Sequence, residues 1–471
     1  MRAVLFLCER RIGLVHLYKN NGINIAMDVN SGAVHVLDEL SYEVLQHLEE
    51  MNSHKKDLTI DDLKDIEKTD YFANTEKAEA LGEIKELIQR GLLYALDTHE
   101  SLIEEVKERK TVVKAVCLHI AHDCNLACRY CFAEEGEYHG RRAFMSFEVG
   151  KKALDYLIEH SGSRRNLEVD FFGGEPLMNC QVVKELVAYG RSKEEECGKL
   201  FRFTLTTNGV LLNDEIIEFL NQEMDNVVLS LDGRREVNDA MRPFRNGKGS
   251  YDLIVPKFQK LAQSRNQKKY YIRGTFTREN LDFSKDLLHF ADLGFEQMSI
   301  EPVVGDAQDP YAIREEDLPR IREEYDKLAR IMVEREKEGQ GFNFFHFMID
   351  LEGGPCIAKR LSGCGSGTEY LAVTPWGDFY PCHQFVGQEE FLMGNVDDGI
   401  KKPEIREDFR SCNVYAKESC KTCFAKFYCS GGCMANGYSC HGDIHGTYEI
   451  GCEMQRKRVE CAIMIKAALS Q

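Results

Sequence analysis

V-V-K-A-V-C-L-H-I-A-H-D-C-N-L-A-C-R-Y-C-F, residues 112 to 132, joins an apolar β run to three closely spaced cysteines, Cys124, Cys128 and Cys131. The run 112–121 has the near-continuous apolar character of a strand buried on both faces of a parallel sheet. The cysteines fall on the loop just beyond it, where α/β folds gather their chemistry. A tetrahedral zinc site, or an iron–sulfur cube held wholly by protein, takes four ligands. C-x3-C-x2-C supplies three. Three thiolates can hold three irons of a [4Fe–4S] cube and leave the fourth iron open to a small chelating ligand.

Working outward, further apolar β runs occur at 167–172, 201–207, 226–231, 270–277 and 297–303, separated by amphipathic stretches of helical length. Six β-then-α units predict a parallel sheet, open or curled into a partial barrel, over residues 111–335. The turns after these strands carry polar and glycine signals. G-G-E-P (173–176) offers close backbone approach at Gly173 and Gly174 and an acceptor for an ammonium group at Glu175. T-T-N-G (206–209) follows the third strand, and S-L-D-G (230–233) follows the fourth, with Arg242 downstream. Gly-rich turns are weak signals singly. On consecutive strands beside the Cys motif they converge.

Residues 1–100 read as a separate module. I-N-I-A-M-D-V, N-S-G and A-V-H-V-L form a β-hairpin pattern at 23–37, and helical periodicity follows at 39–50, 61–68 and 77–93, closed by Gly91. This suggests a winged-helix-like fold. A charged connector is expected at about 95–110. The last third, 350–471, is rich in Cys and Gly, with a C-terminal helix expected at 452–469. A domain so short on regular structure would depend on metals to fold. The net charge of −18 argues against a nucleic-acid binder, and no apolar run is long enough for a membrane span. Without a signal-peptide pattern, the 18 cysteines are expected to ligate metal in a reducing cytoplasm rather than form a disulfide framework.

The combination of C-x3-C-x2-C, G-G-E-P, Ser230 and Arg242 resembles the radical S-adenosylmethionine superfamily, whose fold is a partial (β/α)6 barrel. The resemblance implies cluster ligation by Cys124, Cys128 and Cys131, with S-adenosylmethionine on the open iron and a 5′-deoxyadenosyl radical as its product. It implies that Tyr130 packs at the adenine and that Gly173, Gly174 and Glu175 meet the methionine amino group. Ser230 and Arg242 would hold the carboxylate and ribose side, and Val304 an adenine wall. Core packing is the plainer reading of Val304.

The C-terminal pattern C-x2-C-x5-C-x3-C through Cys420, Cys423, Cys429 and Cys433, with Cys452 beyond and Cys364 and Cys382 upstream, resembles the SPASM extension. That implies two auxiliary clusters, three [4Fe–4S] clusters in all. Cys420, Cys423, Cys429 and Cys452 would hold one completely; Cys364, Cys382 and Cys433 would hold the other. Zinc is the alternative, which a C-x2-C pair by itself favours. Gly365 to Glu369 offers no closing cysteine for the three-ligand set. Cys356, outside the motif, or a substrate sulfur is left to fill the position. Cys8, Cys117, Cys180, Cys197, Cys412, Cys440 and Cys461 read as buried free thiols.

N-I-A-M-D-V-N-S-G-A-V-H-V-L, N-F-F-H-F-M-I-D-L, K-R-L-S-G-C-G and Y-P-C-H-Q-F-V-G extend the resemblance to the maturases of SCIFF peptides. It implies thioether formation from a peptide Cys sulfur to a carbon of an acceptor residue. The implied partners are a Cys-rich precursor peptide, its leader held as an added β-strand by the amino-terminal module, and a reductant such as flavodoxin or ferredoxin. An anaerobic sulfatase-maturase, producing formylglycine, is the alternative enzyme. His383 stands where those enzymes carry an acidic residue after the cysteine. A non-catalytic iron–sulfur or zinc scaffold for a peptide is the alternative from another class.

Overall fold

The computed structural model describes residues 14–52, 60–108, 111–305, 308–351 and 357–470, so Cys8 and Cys356 lie outside the described residues. It opens with a three-stranded antiparallel sheet, β1 (Val15–Asn20), β2 (Ile23–Asp28) and β3 (Val34–Leu37), in that spatial order. The expected hairpin is β2–β3, and Gly32 takes the positive φ of +77° that its turn requires. β1 was not anticipated, because His16, Lys19 and Asn20 interrupt its apolar pattern. Those polar groups are satisfied from far along the chain: His16 Nε2 lies 2.9 Å from Glu460 Oε1, and Asn20 Nδ2 donates to Cys461 Sγ at 3.7 Å.

Helices follow at Glu39–Asn52, Ile60–Ile66 and Thr75–Gln89. The last begins where Asn74 accepts from the Glu76 and Lys77 backbone N–H groups, satisfying two orphan donors. The expected connector is partly helical, which corrects the sequence reading. A 3-10 turn at Glu100–Leu102 runs into a helix at Ile103–Glu108. Leu102, Ile103 and Val106 share one face of it and pack with Leu361 and Val414.

The main sheet consists of β4 (Ala115–His122), β5 (Ala143–Phe144), β6 (Asn166–Gly173), β7 (Leu200–Thr207), β8 (Asn226–Ser230), β9 (Tyr270–Phe276), β10 (Gln297–Pro302), β11 (Asn343–Phe344), β12 (Tyr370–Val373), β13 (Asp378–Tyr380), β14 (Gly394–Asn395) and β15 (Gly399–Ile400). Its order is β11-β10-β9-β8-β7-β6-β4-β12-β13-β14-β15, with β5 beside β4. The six strands expected from the sequence lie side by side in chain order, all parallel. β10 ends against β11 rather than β4, so the sheet is open. Every residue of β4 is buried, as its central place requires. Phe171, Phe203 and Phe201 stack in series at centroid distances of 5.6 and 5.7 Å beneath the sheet.

The Cys-rich third does not stand apart from this sheet. Tyr370–Val373 runs parallel to β4, register Leu371 to Val116, and hairpin strands continue outward from it. The C-terminal helix Glu449–Ser470 begins three residues earlier than expected and packs along the helix Leu318–Lys337. Among the described residues no helix is long and apolar enough to cross a membrane.

Candidate active site at the strand ends

The cysteine loop is clamped by backbone contacts. Gly174 N–H donates to Ala121 O at 2.7 Å, and Glu175 N–H donates to Asp123 O at 2.9 Å, beside Cys124. A Cβ on Gly173 would lie 2.4 Å from Ala121 O, and one on Gly174 would lie 2.2 Å from Asp123 O. Only glycine permits that approach. On the other side Ala127 N–H and Arg129 N–H donate to Pro243 O and Met241 O, both at 2.9 Å, around Arg242. Asn208 Nδ2 donates to Asn125 Oδ1 at 2.7 Å and reaches Cys124 Sγ at 3.6 Å.

Within this loop burial pushes the Cys124 thiol up to about 12 and Cys128 up to about 11. Cys128 adds to the rise at Cys124, and Cys131 adds to the rise at Cys128, so the three thiols face one another. The Arg242 guanidinium opposes the rise at both. Tyr130, between the last two cysteines, donates its hydroxyl to Asp232 Oδ2 at 2.6 Å and accepts from Arg242 Nη1 at 2.8 Å. Asp232 also accepts from Thr275 N–H at 3.0 Å. The Arg242 Nε is buried without a hydrogen-bond partner. Sequence reasoning missed Asp232, although it is the Asp of S-L-D-G.

Glu175 is fully buried. One oxygen accepts from Leu177 N–H and the Thr207 hydroxyl, and the other from Asn208 N–H. Burial outweighs those donors and raises its carboxyl to about 7.

A cavity of about 590 Å³ opens at the strand ends. Tyr130, Ser230, Arg242 and Val304 lie on its wall, whereas Gly173, Gly174 and Glu175 lie behind it, under the cysteine loop. Cys429, Cys433 and Cys452 form part of the opposite wall, so the fold joins barrel and Cys-rich segment around one space. His383 also lines it, pushed down to about 4 by burial and the Arg273 guanidinium.

The C-terminal thiols fall into two neighbourhoods. Burial raises Cys382 to about 12, with contributions from Cys433 and Cys364. Burial also raises Cys429 to about 11, with contributions from Cys420 and Cys423, and Cys452 to about 12, with contributions from Cys429 and Cys420. Cys364 and Cys433 are exposed. Among the described residues no three Cys, His, Asp or Glu side chains gather about a point that one metal ion would occupy. An iron–sulfur cube makes a different demand, each thiolate taking its own iron. Of the remaining cysteines, Cys117, Cys412 and Cys461 are buried as expected. Cys440 is exposed and Cys180 and Cys197 are partly exposed, a correction that follows from their places near helix ends and on outer faces.

Residues 118–282 match the Radical SAM superfamily. The chain is 27% identical over 309 residues to an uncharacterized protein of Methanocaldococcus jannaschii, covering 65% of this chain and 96% of that one. It is 21% identical to a radical SAM cyclopropyl synthase of Paramaledivibacter caminithermalis, covering 93% and 91% of the two chains. A cysteine-type anaerobic sulfatase-maturating enzyme of Clostridium novyi is 24% identical over 67% of this chain and 86% of its own. Among solved structures, anSMEcpe with bound AdoMet superposes with a TM-score of 0.65 at 19% identity, covering 76% and 95%. Streptococcus suis SuiB bound to S-adenosylmethionine gives 0.51 at 16% identity, covering 93% and 98%. The parallel-sheet core of this α/β chain is a radical SAM core, and the chain has homologues among peptide-modifying maturases.

Proposed function

We propose that this chain forms thioether crosslinks in a ribosomally made, Cys-rich precursor peptide, joining a Cys sulfur to a carbon of an acceptor residue. The observation that carries the reading is the shared cavity, with strand-end residues Tyr130, Ser230 and Arg242 on one wall and the thiols of Cys433, Cys429 and Cys452 on the other. A site for hydrogen abstraction and a site for a substrate sulfur would then face the same bound peptide.

The donor set suits the implied cofactors. Cys124, Cys128 and Cys131 would hold a [4Fe–4S] cluster, and the unpartnered Arg242 Nε is a donor for S-adenosylmethionine beside it. With both bound and one electron delivered by the reductant, the site would supply reductive C–S cleavage of S-adenosylmethionine, giving methionine and a hydrogen-abstracting 5′-deoxyadenosyl radical. Tyr130 and Asp232 hold Arg242 in place, and the Gly173–Gly174 turn braces the loop. Cys420, Cys423, Cys429 and Cys452 would hold one auxiliary cluster, and Cys364, Cys382 and Cys433 a second with room for the peptide thiolate. The β1–β3 module, winged-helix-like, would receive the leader as an added strand, in a cytoplasmic enzyme served by flavodoxin or ferredoxin.

Anaerobic turnover of a Cys-rich precursor with dithionite, read by tandem mass spectrometry, tests the reading. Each bridge removes two hydrogens and one alkylatable thiol: one hydrogen atom would leave the acceptor carbon for 5′-deoxyadenosine, the thiol would lose its proton, and the remaining electron would pass to an auxiliary cluster. Peptide that keeps every thiol alkylatable rules out thioether formation. Formylglycine, the product expected of a sulfatase-maturase, gives a different mass change in the same spectra. The burial-neutralised His383 weighs against that second reading.

A further inference from the structure

The cavity holds two guanidinium groups that the cofactor reading does not use. Arg458, on the helix Glu449–Ser470, is only 6% exposed. Its Nε donates to the Tyr325 hydroxyl at 2.8 Å, while its Nη2 is buried with no hydrogen-bond partner. Arg273, on β9, is exposed and lines the same cavity. Among the described residues neither arginine forms an ion pair. Glu301 lies on the same wall, but its Oε1 is turned to His346 Nε2 at 3.2 Å and the Ser299 hydroxyl at 3.2 Å. Burial disfavours its charge, yet His346, Arg458 and Arg273 together hold the carboxyl below its usual range. Burial and Arg458 keep His346 below its own. One carboxylate therefore lies within reach of two cations, of which Arg458 is buried and anchored on Tyr325.

A buried guanidinium with a free donor, as at Arg458, is costly unless a ligand completes it, and Arg273 adds a second cation at the exposed edge of the same cavity. Planar guanidinium donors match a carboxylate best. We propose that Arg273 and Arg458 form a carboxylate-binding subsite in the cavity. A carboxylate can come from the peptide, as an Asp or Glu side chain or the C-terminus, or from the methionine part of S-adenosylmethionine. Position favours the peptide. Arg242 acts on the Cys124 and Cys128 thiols, whereas Arg273 and Arg458 act on Glu301 and His346, and Arg273 also on His383. The subsite rests on the peptide-modifying reading and adds to it an acidic group on the substrate.

The test uses the reconstituted full chain with S-adenosylmethionine and no reductant, under anaerobic conditions. Three fluorescein-labelled Cys-containing peptides are compared by anisotropy: one with an Asp and an amidated C-terminus, one with Asn and an amidated C-terminus, and one with Asn and a free C-terminus. Either carboxylate peptide is expected to bind roughly tenfold tighter than the neutral one. Arg273→Gln and Arg458→Gln should bring that ratio to within about twofold, leaving S-adenosylmethionine affinity unchanged. If the variants instead weaken S-adenosylmethionine binding while all peptides bind alike, the subsite holds the cofactor's carboxylate. Equal or absent peptide binding with unchanged S-adenosylmethionine affinity overturns the subsite. Arg273→Gln, at the more exposed position, carries the test should Arg458→Gln fail to fold. Bridging by the wild-type enzyme is scored separately. Bridging without a carboxylate effect removes the subsite alone, and a carboxylate effect without bridging removes the thioether reading alone.

Discussion

Tyr130 and Asp232 share a hydrogen bond of 2.6 Å that ties the cysteine loop to the end of β8. Arg242 closes the arrangement through the same hydroxyl, so one phenol positions both a buried carboxylate and a guanidinium beside the cysteine loop. Buried polar groups of this kind contribute little net stability when satisfied and cost much more when broken.

Tyr130→Phe keeps the ring and removes the hydroxyl. Loss of one donor to Asp232 and one acceptor for Arg242 should cost about 1–3 kcal/mol. Urea denaturation of the reconstituted protein measures it. Under the proposed function 5′-deoxyadenosine formation should fall as well, because Arg242 loses its fixed orientation.

Glu175 predicts a pH dependence of stability. Its folded carboxyl titrates near 7 against 4.5 for the ordinary group, so the folded chain binds more protons than the unfolded chain between those values. This contribution to stability is fully present below about 4.5 and lost as pH rises through about 7. Glu175→Gln should flatten that segment of the stability profile, measured by denaturation at a series of pH values. An unchanged profile would show that Glu175 titrates normally.

Gly174→Ala places a methyl against Asp123 O and should displace the cysteine loop. Under the proposed function, iron content after reconstitution should drop, and the low-temperature electron paramagnetic signal of the reduced protein should lose one component. Retention of both would mean that the loop yields without cost.

Lys426 and Asp97 form a buried ion pair at 3.0 Å, joining the segment after the amino-terminal module to the helix Lys426–Cys429 beside the cysteines. Lys426→Met should destabilise the chain by about 1–3 kcal/mol, because Asp97 loses a cation while keeping the Tyr415 hydroxyl and the His99 backbone N–H as donors. Adding Asp97→Leu should not restore full stability, since the Tyr415 hydroxyl then loses its acceptor. A double-mutant cycle of thermal unfolding separates the pair from its surroundings.

Cys364→Ala tests the auxiliary role. Under the proposed function it should leave 5′-deoxyadenosine formation and abolish bridging. Equal loss of both would assign Cys364 to folding instead.

Much of the architecture was legible because parallel strands buried on both faces announce themselves as apolar runs. β4 is such a run, while β6 and β7 alternate buried apolar with more exposed positions, and the Cys motif and G-G-E-P mark the ends of the first two. β1 and β12 escaped for the opposite reason. One is broken by polar residues, two of which, His16 and Asn20, have partners more than 400 positions away, and the other is only four residues long. Glu175 was legible as an acceptor at the site, but not as a residue whose oxygens already serve Leu177, Thr207 and Asn208.

By itself the sequence determined the six central strands, their parallel sense and the loop that carries Cys124, Cys128 and Cys131. Those depend on periodicity and spacing within one stretch of chain. Only the tertiary structure decided which groups confront one another across the cavity. Arg273 shares a cavity with Arg458 because apolar burial drives the C-terminal helix against Leu318–Lys337. No local pattern encodes that contact: it follows from how two distant apolar faces find each other.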